Sequence, residues 1–142
     1  YAMAGLRLGY CLSDDRALLA AMAEEGPPWP VSQLAQQAGV SALQDAPDWP
    51  FRVHQQLEEE RRYLSQELSR LRFHVYPSDS NFLLFQGEEG WRERLLDRGI
   101  LIRSCADFQG LGPGFYRVCV RNRGENKRLI QAIQQEREAF HG

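Results

Sequence analysis

The sequence predicts an α/β protein whose larger part is an α+β layer, a small sheet covered by helices mostly on one face. Three observations predict it. Beyond residue 50 the hydrophobic periodicity changes in the order α-β-β-α-β-β-α, which suits one small sheet with helices packed against it. Proline clusters at 27–30 and 45–50 punctuate the chain and set residues 1–26 apart. The composition is that of a globular protein, 43% hydrophobic and 25% charged in 142 residues, enough for one core or for a small domain plus part of another.

Taken in order, LRLGYCL (6–12) is an apolar run of strand-compatible residues and reads as a short buried strand. In SDDRALLAAMAEEG, Ser13 is placed to cap a helix, the acidic residues suit its positive end, and Gly26 stops it. PPWP (27–30) excludes regular structure, because proline fixes φ and restricts the residue before it. VSQLAQQAGVSALQ (31–44) predicts a helix with Leu34, Ala38 and Ala42 at four-residue spacing and small residues suited to close packing. DAPDWP (45–50) breaks the chain again. The longest helix runs from about Phe51 to Leu71 on a stripe of Val53, Leu57, Leu64, Leu68 and Leu71, with EEERR as its solvated face. FHVYPS and NFLLFQG are two strands about a Pro77–Ser80 turn. EEGWRERLLDRG is a compact helix closed by Gly99, ILIRSC (100–105) a strand, GLGPG (110–114) a loop and FYRVCVR (115–121) a strand. An amphipathic helix on Leu129, Ile130, Ile133 and Phe140 closes the pattern.

Several function classes are excluded at this level. A net charge of -2 generates no field that would draw nucleic acid or acidic lipid over the whole surface. No apolar run approaches the roughly 20 residues of a membrane span. Cys11, Cys105 and Cys119 are odd in number and lack CxxC spacing, so they read as reduced thiols of a cytoplasmic protein. His54, His74 and His141 are equally scattered, and no metal site is expected.

Arginine carries what chemistry remains. Arg7 lies between Gly5 and Gly9, where absent side chains let a backbone approach a ligand and a guanidinium could grip an anion. A surface arginine at the mouth of a strand is the plainer reading. Arg103 ends the apolar run ILIR, and Arg117 sits inside FYRVCV, where alternation places Arg117, Cys119 and Arg121 opposite Tyr116, Val118 and Val120. An anion site and a half-exposed sheet face explain Arg117 equally well. Asn81 and the RNRGENKR cluster read as a turn residue and a solvated helix start.

Together YAMAGLRLGY, PPWPVSQLAQQAG, YPSDSNFLLF and ILIRSCADFQGLGPGFYRVCVRNRGENKRLIQAI resemble the aminotransferase class I/II family of fold-type-I pyridoxal-phosphate enzymes. The resemblance runs across essentially the whole chain, and ILIRSC…YRVCVR is its most specific part. It implies that residues 1–26 are the C-terminal remnant of a large cofactor-binding domain, 27–50 an interdomain linker and helix, and 51–142 a C-terminal small domain. It implies pyridoxal 5'-phosphate as cofactor, with Arg7 on the cofactor phosphate. Arg103 and Arg117 then bind the anionic ends of a phosphorylated amino acid, Arg117 in the family's carboxylate position. No catalytic residue is assigned within the chain. The family's Schiff-base lysine would fall two residues before Tyr1, and the only lysine, Lys127, matches no catalytic position. Ser32 stands where close relatives tend to carry asparagine. The activity implied for the full-length protein, a homodimer, is decarboxylation of L-threonine O-3-phosphate to (R)-1-aminopropan-2-yl phosphate in cobalamin biosynthesis, the segment alone being inactive. Transamination of the histidinol-phosphate type is the alternative. A non-catalytic α+β binding domain is another, should the chain truly start at Tyr1.

Overall fold

The computed structural model describes residues 1–141, with side chains through Ala139, so Phe140 on the expected apolar stripe lies outside the described side chains. The chain divides into two compact units, residues 1–52 and 53–142.

The first unit is helical. A 3-10 turn spans Ala4–Leu6, helix α1 spans Arg16–Glu25 and helix α2 spans Gln33–Asp45. The strand expected at 6–12 is absent: residues 7–12 are irregular, with Tyr10 and Leu12 91% and 85% exposed. A strand needs a partner ladder for its backbone groups, and the four strands among the described residues all lie beyond residue 73. The cap of α1 is Asp15 and not Ser13. The Asp15 carboxylate accepts from the Leu18 N–H at 3.0 Å, while the Ser13 hydroxyl accepts from the Asp15 N–H at 3.1 Å and steadies the cap itself. Ser32 caps α2, accepting from the Ala35 N–H at 3.2 Å. The packed face of α2 is shifted from the expected one. Leu34 faces solvent, and Ala35, the buried residue of this helix, lies on the same side as half-buried Ala38 and Gly39, with Leu8 against Gly39.

Helix α3 spans Trp49–Arg70, beginning two residues before the predicted start. Pro50 is tolerated in its first turn because the proline N–H would have no partner there. The helix ends with Arg72 in the left-handed region (φ 60°), the Arg72 N–H donating to the Ser69 carbonyl and the Phe73 N–H to the Leu68 carbonyl. Strands β1 (His74–Val75), β2 (Phe82–Gln86), β3 (Arg103–Ser104) and β4 (Phe115–Cys119) form one antiparallel sheet in the order β1-β2-β4-β3. Its centre is the β2–β4 ladder, running from Phe82↔Cys119 to Gln86↔Phe115. Beyond the ladder's end Gly87 and Gly114 meet, the Gly87 N–H donating to the Gly114 carbonyl at 3.0 Å. Gly114 has φ 86°, and a Cβ there would sit 2.5 Å from the Gly87 carbonyl oxygen, so no other residue fits without displacing the turn.

Helices α4 (Trp91–Asp97) and α5 (Arg123–His141) join α3 on one face. Leu64 and Leu68 of α3, Leu95 of α4 and Ile130 and Ile133 of α5 pack onto Leu83, Phe85, Tyr116 and Val118 of the sheet. Phe73 meets Phe85 and Trp91 edge-on, with ring centroids at 5.1 and 5.2 Å. The Tyr116 hydroxyl donates to the Glu88 carbonyl at 3.1 Å and accepts from the Trp91 N–H at 3.3 Å, so its polar end is satisfied inside the core. Within the expected strand 100–105, pairing with β4 begins only at Arg103. The reason is the C-terminus of α4: Gly99 (φ 72°) donates to the Leu96 carbonyl and Ile100 to the Leu95 carbonyl, which commits Ile100 to the helix cap.

A polar latch ties α5 to α3. Glu60 accepts from the Arg123 Nε at 2.9 and 3.0 Å and from the Asn126 Nδ2 at 2.9 Å, and Asn126 is itself buried. Burial opposes ionisation of Glu60, but the hydrogen bonds from Arg123 and Asn126 outweigh it and hold its carboxyl below the ordinary 4.5. A depressed carboxylate stabilises the fold above its unfolded value, and that contribution is lost as pH falls through the lowered value. Glu60→Gln is therefore expected to cost about 1 kcal/mol at neutral pH, with the gap to wild type closing below about pH 4.5 in urea unfolding curves. An unchanged gap in acid would refute the latch. Cys11 and Cys119 are exposed and Cys105 is buried. Thiol titration of the native protein should therefore modify the first two rapidly and Cys105 only on unfolding, as peptide mapping would show.

Candidate functional site

The sheet face turned away from the core carries the site. Period-two alternation along β2 and β4 sends Leu83, Phe85, Tyr116 and Val118 inward and leaves Phe82, Leu84, Arg117 and Cys119 on the outer face. Arg103 of β3 stands directly opposite Arg117 in the β3–β4 register. Opposed cross-strand residues have Cβ atoms about 5 Å apart, so two side chains of like charge leave the sheet as neighbours, an arrangement that costs energy unless something offsets the repulsion. The two arginines that sequence alone singled out at separate strands are thus brought together, and both line a cavity of about 520 Å³.

Their surroundings were not legible in sequence. The Arg103 Nη2 lies 2.6 Å from the Asp107 Oδ2, an exposed pair four residues apart. Arg117 is half-buried, and its guanidinium carbon lies 4.5 Å from the centroid of the Phe82 ring. Phe108 lies 5.5 Å from the Arg103 guanidinium and 5.9 Å from that of Arg117. Stacking on a ring face leaves the N–H edge of a guanidinium free to donate to an anion. Beneath the pair, burial pushes the Cys105 thiol up, while the positive charges of Arg117 and Arg103 pull it partly back. Farther along the cavity Arg121 pairs with Glu125 at 3.0 Å, and Arg92 and Arg128 add two more cations to the lining.

Arg7 belongs to the first unit. It follows the 3-10 turn in the left-handed region (φ 55°, ψ 35°), its N–H donating to the Ala4 carbonyl at 3.2 Å, and its side chain is exposed. That backbone conformation costs a non-glycine residue about 1 kcal/mol or more. A Cβ added at Gly5 or Gly9 would meet open space, so the chain's own contacts do not demand glycine at either position. An exposed guanidinium flanked by open backbone has the donor chemistry for a phosphate group. Lys127 lies on α5, where its charge acts on Glu60. Asn81 serves through its backbone, its carbonyl accepting from the Val120 N–H at 2.8 Å. The RNRGENKR cluster is a capped helix start: the Asn122 Oδ1 accepts from the Glu125 N–H at 3.0 Å. Among the described residues no His, Cys, Asp and Glu group could hold a metal ion, and no helix is long and apolar enough to cross a membrane.

Residues 1–133 match the family Aminotransferase class I and II. The chain is 41% identical over 138 residues to the threonine-phosphate decarboxylase of Salmonella typhimurium, covering 94% of this chain and 38% of that protein. It is 33% identical over 139 residues to the histidinol-phosphate aminotransferase of Methanoculleus marisnigri, covering 94% of this chain and 38% of the relative. Among solved structures, the L-threonine-O-3-phosphate decarboxylase of Porphyromonas gingivalis superposes with a TM-score of 0.81 at 26% identity, covering 97% of this chain and 44% of that one. The histidinol-phosphate aminotransferase of Clostridium acetobutylicum, at 24% identity, shares the fold with a TM-score of 0.88 over 97% of this chain and 43% of its own. The chain therefore spans about two-fifths of the length of the relatives it matches. With nearly its whole length matched, the chain belongs to the aminotransferase class I and II family.

Proposed function

We propose that this chain contributes the substrate-recognition face of a pyridoxal-phosphate-dependent enzyme that decarboxylates L-threonine O-3-phosphate. Enzymes of this family depend on pyridoxal 5'-phosphate. The observation that carries the reading is the direct cross-strand pairing of Arg103 and Arg117 on an open sheet face. Two adjacent guanidinium groups suit a ligand with two anionic groups, and a phosphorylated amino acid carries a phosphate and a carboxylate. The 41% identical relative supports the choice of reaction.

In this reading Arg117 holds the substrate carboxylate and Arg103 the phosphate. Arg7 holds the phosphate of the cofactor, and its strained backbone is consistent with a conformation kept for binding. When bound, the cofactor supplies an electron-accepting ring for the electron pair left as carbon dioxide departs. The part of this chain is orientation: Arg117 would fix the position of the substrate carboxylate, which would favour breaking the bond to that carboxylate over removing the neighbouring proton. Residues 1–26 are read as the end of the cofactor-binding domain, 27–50 as linker and helix, and 51–142 as the small domain of a homodimer. A histidinol-phosphate-type transamination is the second reading, favoured by the 33% identical relative.

Product analysis on the full-length protein separates the two. Carbon dioxide released from O-phospho-L-threonine with no amino acceptor supports decarboxylation, whereas turnover only with a 2-oxo acid overturns it. Arg117→Ala and Arg103→Ala are each expected to raise KM by about 10- to 100-fold while leaving cofactor absorbance intact. Arg7→Ala should have the opposite signature, with cofactor lost on dialysis. Unchanged kinetics in the first two variants would remove the assignment.

A further inference from the structure

We propose that Phe108 is a positioning residue, which holds the Arg103 and Arg117 guanidinium groups at a fixed separation and so selects ligands bearing two anionic groups. The proposal rests on the reading of the two arginines as the substrate site.

The argument starts from repulsion. Register places the two arginines opposite one another, and like charges so placed would otherwise splay apart into solvent. Asp107 neutralises only Arg103, and among the described residues no carboxylate pairs with Arg117. Aromatic rings take the place of that carboxylate. Phe82 packs on Arg117 alone, at 4.5 Å, whereas Phe108 lies within 6 Å of both guanidinium groups, at 5.5 and 5.9 Å. A carboxylate in that position would occupy the N–H groups a ligand needs, while a ring restrains the cations through their faces and leaves the donors free.

Phe108 is itself fixed by backbone. Its N–H donates to the Cys105 carbonyl and its carbonyl accepts from the Leu111 N–H, both at 3.0 Å, while the Cys105 N–H donates to the Phe115 carbonyl of β4 at 2.8 Å. The turn after β3 is thereby tied to the strand that carries Arg117. Phe108 stays 39% exposed and is absent from the hydrophobic core, so its contacts with the two arginines are not a by-product of core packing. Holding both cations before the ligand arrives lowers the ordering cost of binding, and a ligand that engages both gains most.

The test uses the full-length enzyme with its cofactor and compares O-phospho-L-threonine with L-threonine, which lacks the phosphate. Phe108→Leu keeps apolar bulk and removes the ring, and Phe108→Tyr keeps the ring. The expected result is a roughly 5- to 20-fold rise in the dissociation constant for O-phospho-L-threonine in Phe108→Leu, with L-threonine changed far less and Phe108→Tyr near wild type. The penalty should shrink when Phe108→Leu is introduced into an Arg103→Ala background, because one of the two cations it positions is gone. Equal weakening of both ligands, failure of the tyrosine variant to rescue, or full additivity with Arg103→Ala would overturn the role of Phe108. Binding of O-phospho-L-threonine that is indifferent to Arg103→Ala and Arg117→Ala would instead overturn the underlying substrate site. Should Phe108→Leu not fold, the binding ratio of Phe108→Tyr and Phe108→Met decides the matter in the same way.

Discussion

The register of β2 against β4 is the constraint on which both core and site depend. Its five pairs send Leu83, Phe85, Tyr116 and Val118 into the core and Phe82, Leu84, Arg117 and Cys119 to the outer face. A slip of β4 by one residue would turn Tyr116 and Val118 out of the core and bury the Arg117 guanidinium group without a partner. Burial of a large apolar side chain contributes about 1.5–3 kcal/mol, so these two define the register more strongly than the charges of the site could disturb it. Stability thus fixes the position of Arg117, and the short β3 strand needs only two residues of pairing to bring Arg103 beside it.

That dependence explains which features were legible in sequence. Helices α3 and α5 and strand β4 announce themselves because each buries one regular face, and their periodicity survives in Leu64 and Leu68, in Leu129, Ile130 and Ile133, and in Tyr116 and Val118. The run at 6–12 misled because apolar content alone does not make a strand; a ladder partner does, and nothing local encodes one. The run at 100–105 misled for another reason. Gly99 marks a helix end, but the cap extends to Ile100 and shortens the strand that follows. Arg103 and Arg117 could be picked out singly, yet their adjacency is a property of register between distant segments. Phe108 and Asp107 carried no signal at all, since a turn closed by the Cys105 carbonyl aims them at the arginines.

The two units differ in how they are held. Residues 53–141 share one core built from three helices and a sheet, whereas among residues 1–52 Ala35 is the buried apolar residue. Helices of 10 and 13 residues, α1 and α2, have little intrinsic stability, and here they lean on side-chain caps from Asp15 and Ser32 and on the Leu8–Gly39 contact. The cooperative free energy of folding therefore resides mainly in the unit that carries Arg103 and Arg117. Their placement follows from the β2–β4 ladder and the β3–β4 pairing beside it.

Net charge is a poor guide to such a site. The chain carries -2 overall, which argues against a broad cationic surface, yet five arginines and one glutamate line a single cavity of about 520 Å³. Local sign and not total charge decides what enters, because a concave, partly apolar wall concentrates the field of its own cations. Guanidinium rather than ammonium groups give the cavity directional, paired donors. Such donors discriminate between anions only if their spacing is fixed. Asp107 anchors Arg103 and Phe82 anchors Arg117, but neither residue touches both cations, so the separation between them depends on the ring that does.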